Sequence, residues 1–166
     1  MSIAYIGIGT NIGDREKNIY DAVRALNHLP STHTEKMSAI YETPPWGYTD
    51  QDSFYNVCVK VRTELSPSAL LGACLGIEAA FGRERPFKNS PRILDLDLLL
   101  YDDVCMNTPE LILPHPRMHE RGFVLVPLKD IQPDPVVGGV DFNSLFQACD
   151  KAGIRKISDG SEEFLI

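Results

Sequence analysis

The chain lacks the features that mark several large classes of protein. None of its apolar runs approaches the length of a membrane span, and its start shows no basic segment followed by an apolar one, so we expect no membrane partner and no secretion. Its four cysteines lack the Cys-x-x-Cys spacing that is typical of zinc sites. Cysteines without this spacing are usually small core residues of proteins that fold in a reducing compartment. They therefore predict a cytoplasmic protein.

An excess of positive charge is also missing. The net charge of −7 argues against an electrostatic nucleic-acid binder, and we expect none as a partner. The cations are nevertheless concentrated in one segment, where residues 83–92 hold Arg83, Arg85, Lys88 and Arg92 against the single acid Glu84. A patch of this size suits a small polyanion. We therefore expect small-molecule partners and, because no amphipathic interface is evident, a monomer.

The standard glycine motifs for nucleotides are absent as well. No Gly-Lys-Ser or Gly-Lys-Thr occurs, which excludes a P-loop. The segment from Gly7 to Gly13 has the spacing G-x-G-x-x-x-G rather than the G-x-G-x-x-G of dinucleotide-binding folds. Close packing of the backbone and a tight turn explain these glycines better than a phosphate cradle does.

The apolar content of 43% over 166 residues is enough for a single domain, 1–166, with a full core. Apolar periodicity predicts a sequence of strands and helices. The strands are expected over 2–9, 36–42, 54–62, 94–101 and 110–113, and the helices over 16–29, 66–81, 121–128 and 142–151. The first six of these elements along the chain follow the order βαββαβ. They predict an α+β, ferredoxin-like sandwich with a mainly antiparallel sheet, helices on its faces and a short C-terminal extension.

Two carboxylates interrupt the apolar strand predicted over 94–101. Side chains two residues apart leave a strand on the same face, roughly 6–7 Å apart, so Asp95 and Asp97 point together. Such a pair favours a hard divalent cation such as Mg²⁺, whose remaining ligands are waters or phosphate oxygens. The alternative is a set of ion pairs with Arg92 and another arginine, without metal. The basic residues just upstream favour a metal–nucleotide enzyme.

Two further motifs contain groups that can bind a ligand. Phe54 and Asn56 share one face of a predicted strand, and an asparagine amide matches the donor–acceptor edge of an amino-oxo heterocycle. The alternative is that Phe54 belongs to the core and Asn56 caps a turn. His115 and Arg121 lie on a loop bracketed by prolines and can donate to phosphate, although surface charge at a helix start would look the same.

Taken in order, these motifs resemble a known family. Gly9-Thr10-Asn11, Thr43-Pro44-Pro45, Phe54-x-Asn56, Arg83-x-Arg85, Arg92-x-x-Asp95-x-Asp97, Pro114-His115 and Arg121-Gly122-Phe123 are similar to the pattern of the 6-hydroxymethyl-7,8-dihydropterin pyrophosphokinases of folate biosynthesis. The resemblance covers roughly residues 2–135. It implies an ATP-dependent diphosphotransferase that gives the pterin diphosphate and AMP, with ATP as co-substrate.

The resemblance also implies roles for single residues. Two Mg²⁺ ions would be held by Asp95 and Asp97, with Arg83 and Arg92 as further catalytic groups. ATP would be bound by Leu75, Glu78, Arg85, Lys88, Arg92, Leu98, Ile112, His115 and Arg121. The pterin would be bound by Thr43, Pro44, Pro45, Trp46, Phe54, Asn56, Asp95 and Phe123. Leu75, Asn89, Glu110, Ile112 and Pro116 depart from residues that are frequent in the family.

Two other functions compete with this interpretation. A non-catalytic pterin or nucleotide binder would have no need of both aspartates. A metal-dependent nuclease or phosphodiesterase could use the same carboxylates, but the acidic chain has no extended basic track for a nucleic acid.

Overall fold

The computed structural model describes residues 1–45, 47–82, 88 and 91–160. Within these ranges it contains helices α1–α4, which are Arg15–Asn27, Pro67–Ala80, Gly122–Ile131 and Phe142–Ala148. The strands β1–β10 are Ser2–Thr10, Thr32–Met37, Ile40–Thr43, Phe54–Thr63, Asp95–Tyr101, Met106–Asn107, Ile112–Leu113, Val136–Val137, Val140–Asp141 and Arg155–Ser158.

The main sheet has the order β10-β3-β4-β1-β5, and β2 pairs with the C-terminal half of β4. Neighbouring strands in this sheet are antiparallel. The strand β1 lies between β4 and β5, where Gly9 is opposite both Asn56 and Asp95, and Gly7 is opposite Asp97. This arrangement confirms the predicted α+β fold with a mainly antiparallel sheet.

Each face of the sheet carries its own apolar cluster. On one face, Ile19 and Leu26 of α1 and Leu70 of α2 pack against the sheet, together with Leu96 and Leu98 of β5. On the other face, residues of α3 and α4 cover β1, β4 and β5, and this second cluster includes Tyr5, Cys58, Leu99, Leu125 and Phe142. The leucines that alternate with Asp95 and Asp97 are thus buried under α2, which turns the two carboxylates to the opposite face.

Helices α1 and α2 begin within one residue of the predicted positions, and a side chain caps each start. The Asp14 side chain accepts a hydrogen bond from the N–H of Lys17, and the Ser66 side chain accepts one from the N–H of Ala69. Pro67 occupies the first turn of α2, where its missing N–H costs no hydrogen bond. Among the described residues, no helix combines the length and the apolar character needed to cross a membrane.

Two predicted elements differ in the structure, and one strand was not predicted. The strand expected over 36–42 is two strands, because Ser38 bends the chain: its hydroxyl donates to the carbonyl of Ala39 and accepts from the N–H of Cys58. The helix expected over 142–151 ends at Ala148, since Cys149 is extended. The C-terminal extension contributes an edge strand, β10, which pairs with β3.

Candidate active site

A cavity of about 740 Å³, open mouth included, lies over the glycine end of β1. It brings together nine residues that the sequence singled out, although they are spread over 81 positions of the chain. These residues are Thr43, Pro44, Phe54, Asn56, Arg92, Asp95, Asp97, Arg121 and Phe123. The lining combines aromatic rings with a few polar and charged groups, as is typical of sites for small organic ligands.

Gly9 lines this cavity, and the side chain of Asn56 on the neighbouring strand leaves no room for a Cβ atom there. A Cβ atom at Gly9 would lie 2.8 Å from Oδ1 of Asn56. The sequence analysis explains the glycines from Gly7 to Gly13 by close packing and a tight turn. The close packing is confirmed at Gly9 and the turn at Gly13, whose φ is 75°, whereas a Cβ atom at Gly7 would make only an ordinary contact with Leu99 at 3.5 Å. Gly7 and Ile8 also line the cavity, which the sequence did not predict; two glycines on one strand face were the available signal.

A buried amide forms the polar part of the cavity wall. The Nδ2 of Asn56 donates a 2.7 Å hydrogen bond to the Thr43 hydroxyl, and both side chains are buried. Asn56 lies inside β4, so the alternative of a turn cap was wrong. Phe54 and Phe123 supply aromatic surface to the same cavity. The wall therefore offers an amide oxygen between aromatic rings.

The two aspartates face the cavity as predicted, and each is paired with an arginine. The Arg92 guanidinium lies 2.9 Å from the Asp95 carboxylate, and the Arg121 guanidinium lies 3.6 Å from that of Asp97. The ion pairs of the metal-free alternative are thus present. Both carboxylates nevertheless remain open to the cavity, with 17% and 30% of their side chains exposed.

The two arginines keep donors that no described residue satisfies. The Nε atoms of Arg92 and Arg121 are buried and lack a hydrogen-bond partner among the described residues. Burial lowers the pKa of the Arg121 guanidinium, and the nearby charge of Asp97 opposes this shift. A buried N–H without a hydrogen-bond partner costs free energy, and an anion bound by these guanidiniums would remove that cost.

A second groove adjoins the cavity and shares its two aspartates. Asp95 and Asp97 line both spaces, so they stand on the boundary between them. The predicted ATP contacts on this side are Leu75, Glu78, Leu98, Ile112 and His115. Leu75 and Ile112 are exposed at 49% and 39%, which gives the groove an apolar rim. Leu71, Thr108 and Leu111 also line the groove and were not predicted.

His115 is held as a neutral ring. Burial lowers the pKa of His115 to about 4, and the charges of Arg121 and Arg117 lower it further, while Asp95 acts in the opposite direction. Its Nδ1 accepts a 3.3 Å hydrogen bond from the N–H of Arg117, and its own backbone N–H donates to the carbonyl of Leu99. The ring therefore lines the groove with its orientation fixed.

Some predicted site residues are not placed in either space. Trp46, Arg83 and Arg85 lie outside the described residues. Lys88 is an exposed turn residue, and Pro45 is half-buried beside the cavity without being among the residues that line it. The roles assigned to these residues by resemblance stay predictions.

The described donors fit a magnesium site built on two carboxylates. No group of three or more His, Cys, Asp or Glu side chains in the described ranges could hold a metal. Mg²⁺ bound together with a nucleotide needs only one or two carboxylates, since phosphate oxygens and waters complete its octahedron. Asp95 and Asp97, on one strand face and open on both sides, meet that requirement.

Comparisons with known proteins agree with this geometry. A family model described as 7,8-dihydro-6-hydroxymethylpterin-pyrophosphokinase (HPPK) matches residues 5–133. The 2-amino-4-hydroxy-6-hydroxymethyldihydropteridine pyrophosphokinase of Methylorubrum extorquens is 45% identical over 157 residues, which cover 95% of this chain and 99% of that protein. The protein of the same name from Bacillus subtilis is 42% identical and covers 99% of this chain and 96% of its own length.

A solved structure shares the fold. The Plasmodium falciparum HPPK-DHPS structure matches 95% of this chain with a TM-score of 0.67 at 16% identity. This chain spans 47% of that longer one, and at such low identity the likeness concerns the fold alone.

Paired aspartates between a cavity and a groove suit a small-molecule phosphotransferase, and the relatives are named as enzymes of that class. The chain belongs to the 7,8-dihydro-6-hydroxymethylpterin-pyrophosphokinase family. This membership confirms the resemblance drawn from the motifs and the predicted enzyme class, a pyrophosphokinase of folate biosynthesis.

Proposed function

We propose that this chain transfers a pyrophosphoryl group from ATP to the hydroxymethyl group of 6-hydroxymethyl-7,8-dihydropterin. The hydroxymethyl oxygen forms a bond to the β-phosphorus of ATP, the bond between that phosphorus and the α,β-bridging oxygen breaks, and the hydroxyl proton is lost. AMP leaves and the pterin diphosphate remains. The observation that carries the proposal is the position of Asp95 and Asp97, which line the cavity and the neighbouring groove at once.

The pterin fits the cavity over β1. Its amino-oxo edge reaches Oδ1 of Asn56, which is aimed over Gly9 while its Nδ2 is committed to Thr43. The ring lies between Phe54 and Phe123, where aromatic stacking adds to burial. By the family resemblance, Pro44, Pro45 and Trp46 would supply further contacts.

ATP fits the groove, with its triphosphate directed to the aspartates. Leu75, Leu98 and Ile112 would hold the base, and Glu78 would lie beside it. His115, Arg121 and Arg92 face the place where the phosphates meet the cavity. Arg85 and Lys88 would add charge from the basic segment.

Asp95 and Asp97 would hold two Mg²⁺ ions, which when bound offset negative charge on the attacking and leaving oxygens. Each arginine is paired with one of these carboxylates, so Arg92 and Arg121 would be free to bind phosphate if the carboxylates held cations instead. Arg92 and Arg83 would then stabilise the charge that develops during transfer.

The remaining properties are part of the same proposal. We propose a single domain over 1–166 that acts as a cytoplasmic monomer on small-molecule substrates and binds no nucleic acid. The net charge of −7 supports the absence of a nucleic-acid partner.

The test is a direct assay. The purified chain is incubated with ATP, Mg²⁺ and 6-hydroxymethyl-7,8-dihydropterin, and AMP and the pterin diphosphate are followed by chromatography. We expect the two products in equal amounts, with none when the pterin or Mg²⁺ is left out. Release of ADP instead of AMP, or AMP formation that ignores the pterin, would contradict the proposal. Degradation of a nucleic acid with Mg²⁺ would favour the nuclease alternative.

A further inference from the structure

A buried amide joins the two loops that flank the cavity. Asn11 directly follows β1 and is 3% exposed. Its Nδ2 donates to Oε1 of Gln51 at 2.8 Å and to the carbonyl of Asp52 at 3.0 Å. Its Oδ1 accepts from the N–H of Arg92 at 2.7 Å, and its own N–H donates to the Arg92 carbonyl at 2.9 Å. One side chain therefore contacts segments that lie 40 and 81 positions away.

Both segments lead directly into the site. Gln51 and Asp52 precede Phe54, whose ring lines the cavity. Arg92 carries the guanidinium that pairs with Asp95 at 2.9 Å. The cavity between these segments is the space in which the pterin and the phosphates must meet. A shift of either segment moves a wall of that space.

The nitrogen and the oxygen of the Asn11 amide make hydrogen bonds to different segments. Two N–H groups reach the segment before β4, while the oxygen reaches Arg92. A carboxylate in its place would keep the acceptor for Arg92 but could not donate to the Asp52 carbonyl, which offers no donor in exchange. An apolar side chain would leave groups on both segments unpaired in a buried position.

We propose that Asn11 is a positioning residue, which fixes the Arg92 backbone and the segment before Phe54 in one mutual arrangement. The inference rests on the proposed function, in which Arg92 stabilises the transferred group and Phe54 stacks on the pterin. Asn11 itself touches neither substrate. It acts through the two segments that it joins.

A neighbouring asparagine provides the matched control. The Nδ2 of Asn18 donates to the Thr10 hydroxyl and to the Ile12 carbonyl, so it holds the same turn from the α1 side without reaching either segment. If Asn11 only stabilised this turn, the loss of Asn18 would have similar effects.

The experiment compares Asn11→Asp, Asn11→Ala and Asn18→Ala in the assay described above. For Asn11→Asp we expect the KM for the pterin to rise about tenfold and kcat to stay within about threefold, because the Arg92 bond survives. For Asn11→Ala we expect the same KM effect and a fall of kcat by about 10- to 100-fold, as is usual for a misplaced catalytic group. Asn18→Ala should leave both constants within about twofold.

A second readout does not need turnover. Hydrogen exchange of the Arg92 amide in the unliganded protein should be faster in Asn11→Ala by at least about tenfold and nearly unchanged in Asn11→Asp. If Asn11→Ala fails to fold, Gln51→Leu cuts the Gln51 contact from a half-buried position, and it should raise the pterin KM while kcat stays within about twofold.

The outcomes separate this inference from the proposed function. If the wild-type chain makes no AMP, the proposed function is wrong, and so is the effect of Asn11 on catalysis. Hydrogen exchange of the Arg92 amide still tests whether Asn11 holds the Arg92 backbone. Equal losses of kcat in Asn11→Asp and Asn11→Ala would overturn the inference. So would matching kinetic effects of Asn11→Ala and Asn18→Ala, or an Arg92 amide that exchanges at the wild-type rate in Asn11→Ala.

Discussion

The carboxylate of Glu78 on α2 accepts a 2.7 Å hydrogen bond from the backbone N–H of Leu96, the residue between Asp95 and Asp97. Glu78 is buried, with 1% of its surface exposed. The bond fixes the start of β5 against α2, the helix that covers its apolar face. The strand that presents both aspartates is thereby held from behind.

Glu78→Gln and Glu78→Leu should separate the effect of this hydrogen bond on stability from the effect of the negative charge. The glutamine keeps an oxygen that accepts from Leu96, so we expect most of the stability and turnover to remain. The leucine leaves a buried N–H without an acceptor, which should lower the free energy of unfolding by about 1–3 kcal/mol. Urea unfolding measures the difference. The exposed Glu64→Leu is the control for loss of charge, and equal stability of the two Glu78 variants would contradict the assigned contact.

Removal of either aspartate should abolish most of the turnover. Asp95→Ala and Asp97→Ala each delete one proposed magnesium ligand, and we expect kcat to fall by at least about 100-fold while the protein stays folded. AMP formation and circular dichroism measure the two effects. Asp159→Ala, an exposed aspartate paired with Lys156 outside the site, should behave like the wild type. Near-normal AMP formation by either site variant would remove its aspartate from the mechanism.

The local part of this structure could be predicted from the sequence. The alternation of Asp95 and Asp97 with buried leucines places the two carboxylates on one face, because side chains alternate along any strand. The cap residues Asp14 and Ser66 act within three positions of the groups that they bind. Such features depend on short-range geometry, which a single sequence contains.

The long-range part could not be predicted in the same way. The break between β2 and β3 depends on Ser38, which exchanges hydrogen bonds with Cys58 on another strand. The edge strand β10 is mostly exposed and four residues long, so it has no apolar alternation to detect. The bonds of Asn11 span up to 81 positions, and Asn11 entered the sequence analysis only as part of a family motif.

Arg92→Ala should lower the rate of transfer more than the affinity for ATP. The guanidinium faces the cavity beside Asp95 and its Nε is buried without a described partner, as expected for a donor to developing charge. We expect a loss of about 10²–10³-fold in kcat, comparable to the removal of other such donors. Steady-state kinetics and a separate titration with a non-hydrolysable ATP analogue measure the two quantities. An unchanged kcat would take Arg92 off the list of catalytic residues.

The half-buried ring of His115 should make stability depend on pH. Its pKa of about 4 in the folded chain lies below the ordinary 6.5, so the unfolded chain binds the proton more tightly. The stabilising effect is therefore fully present above pH 6.5 and is lost as the pH falls towards 4, by about 2–3 kcal/mol in total. Urea unfolding at pH 7.5, 5.5 and 4.5 measures it.

His115→Asn is the informative variant for this dependence. Its unfolding free energy should fall less steeply than that of the wild type between pH 6.5 and 4. His119→Asn removes an exposed histidine from the same segment and should leave the wild-type slope in place. Identical slopes for His115→Asn and the wild type would show that other groups cause the pH dependence. A bound triphosphate should also favour the protonated ring, so ATP should bind more tightly as the pH falls through this window.

Gly9→Ala tests whether the pterin amide edge is bound at Asn56. The added methyl group would lie 2.8 Å from Oδ1 of Asn56, and the end of that side chain is what must give way. Its movement breaks the hydrogen bond to Thr43, so the fold should lose only about 1 kcal/mol, whereas the pterin loses its aligned amide. We expect a rise in the pterin KM of at least about tenfold, since a buried polar partner is left unmatched. The control is Gly72→Ala on the exposed side of α2, where nothing lies within 4 Å of the new atom, and that variant should be more stable by about 0.5–1 kcal/mol with unchanged kinetics. If Gly9→Ala instead binds the pterin as tightly as Gly72→Ala does, the heterocycle does not rest over this glycine, and Asn56 does not read its edge.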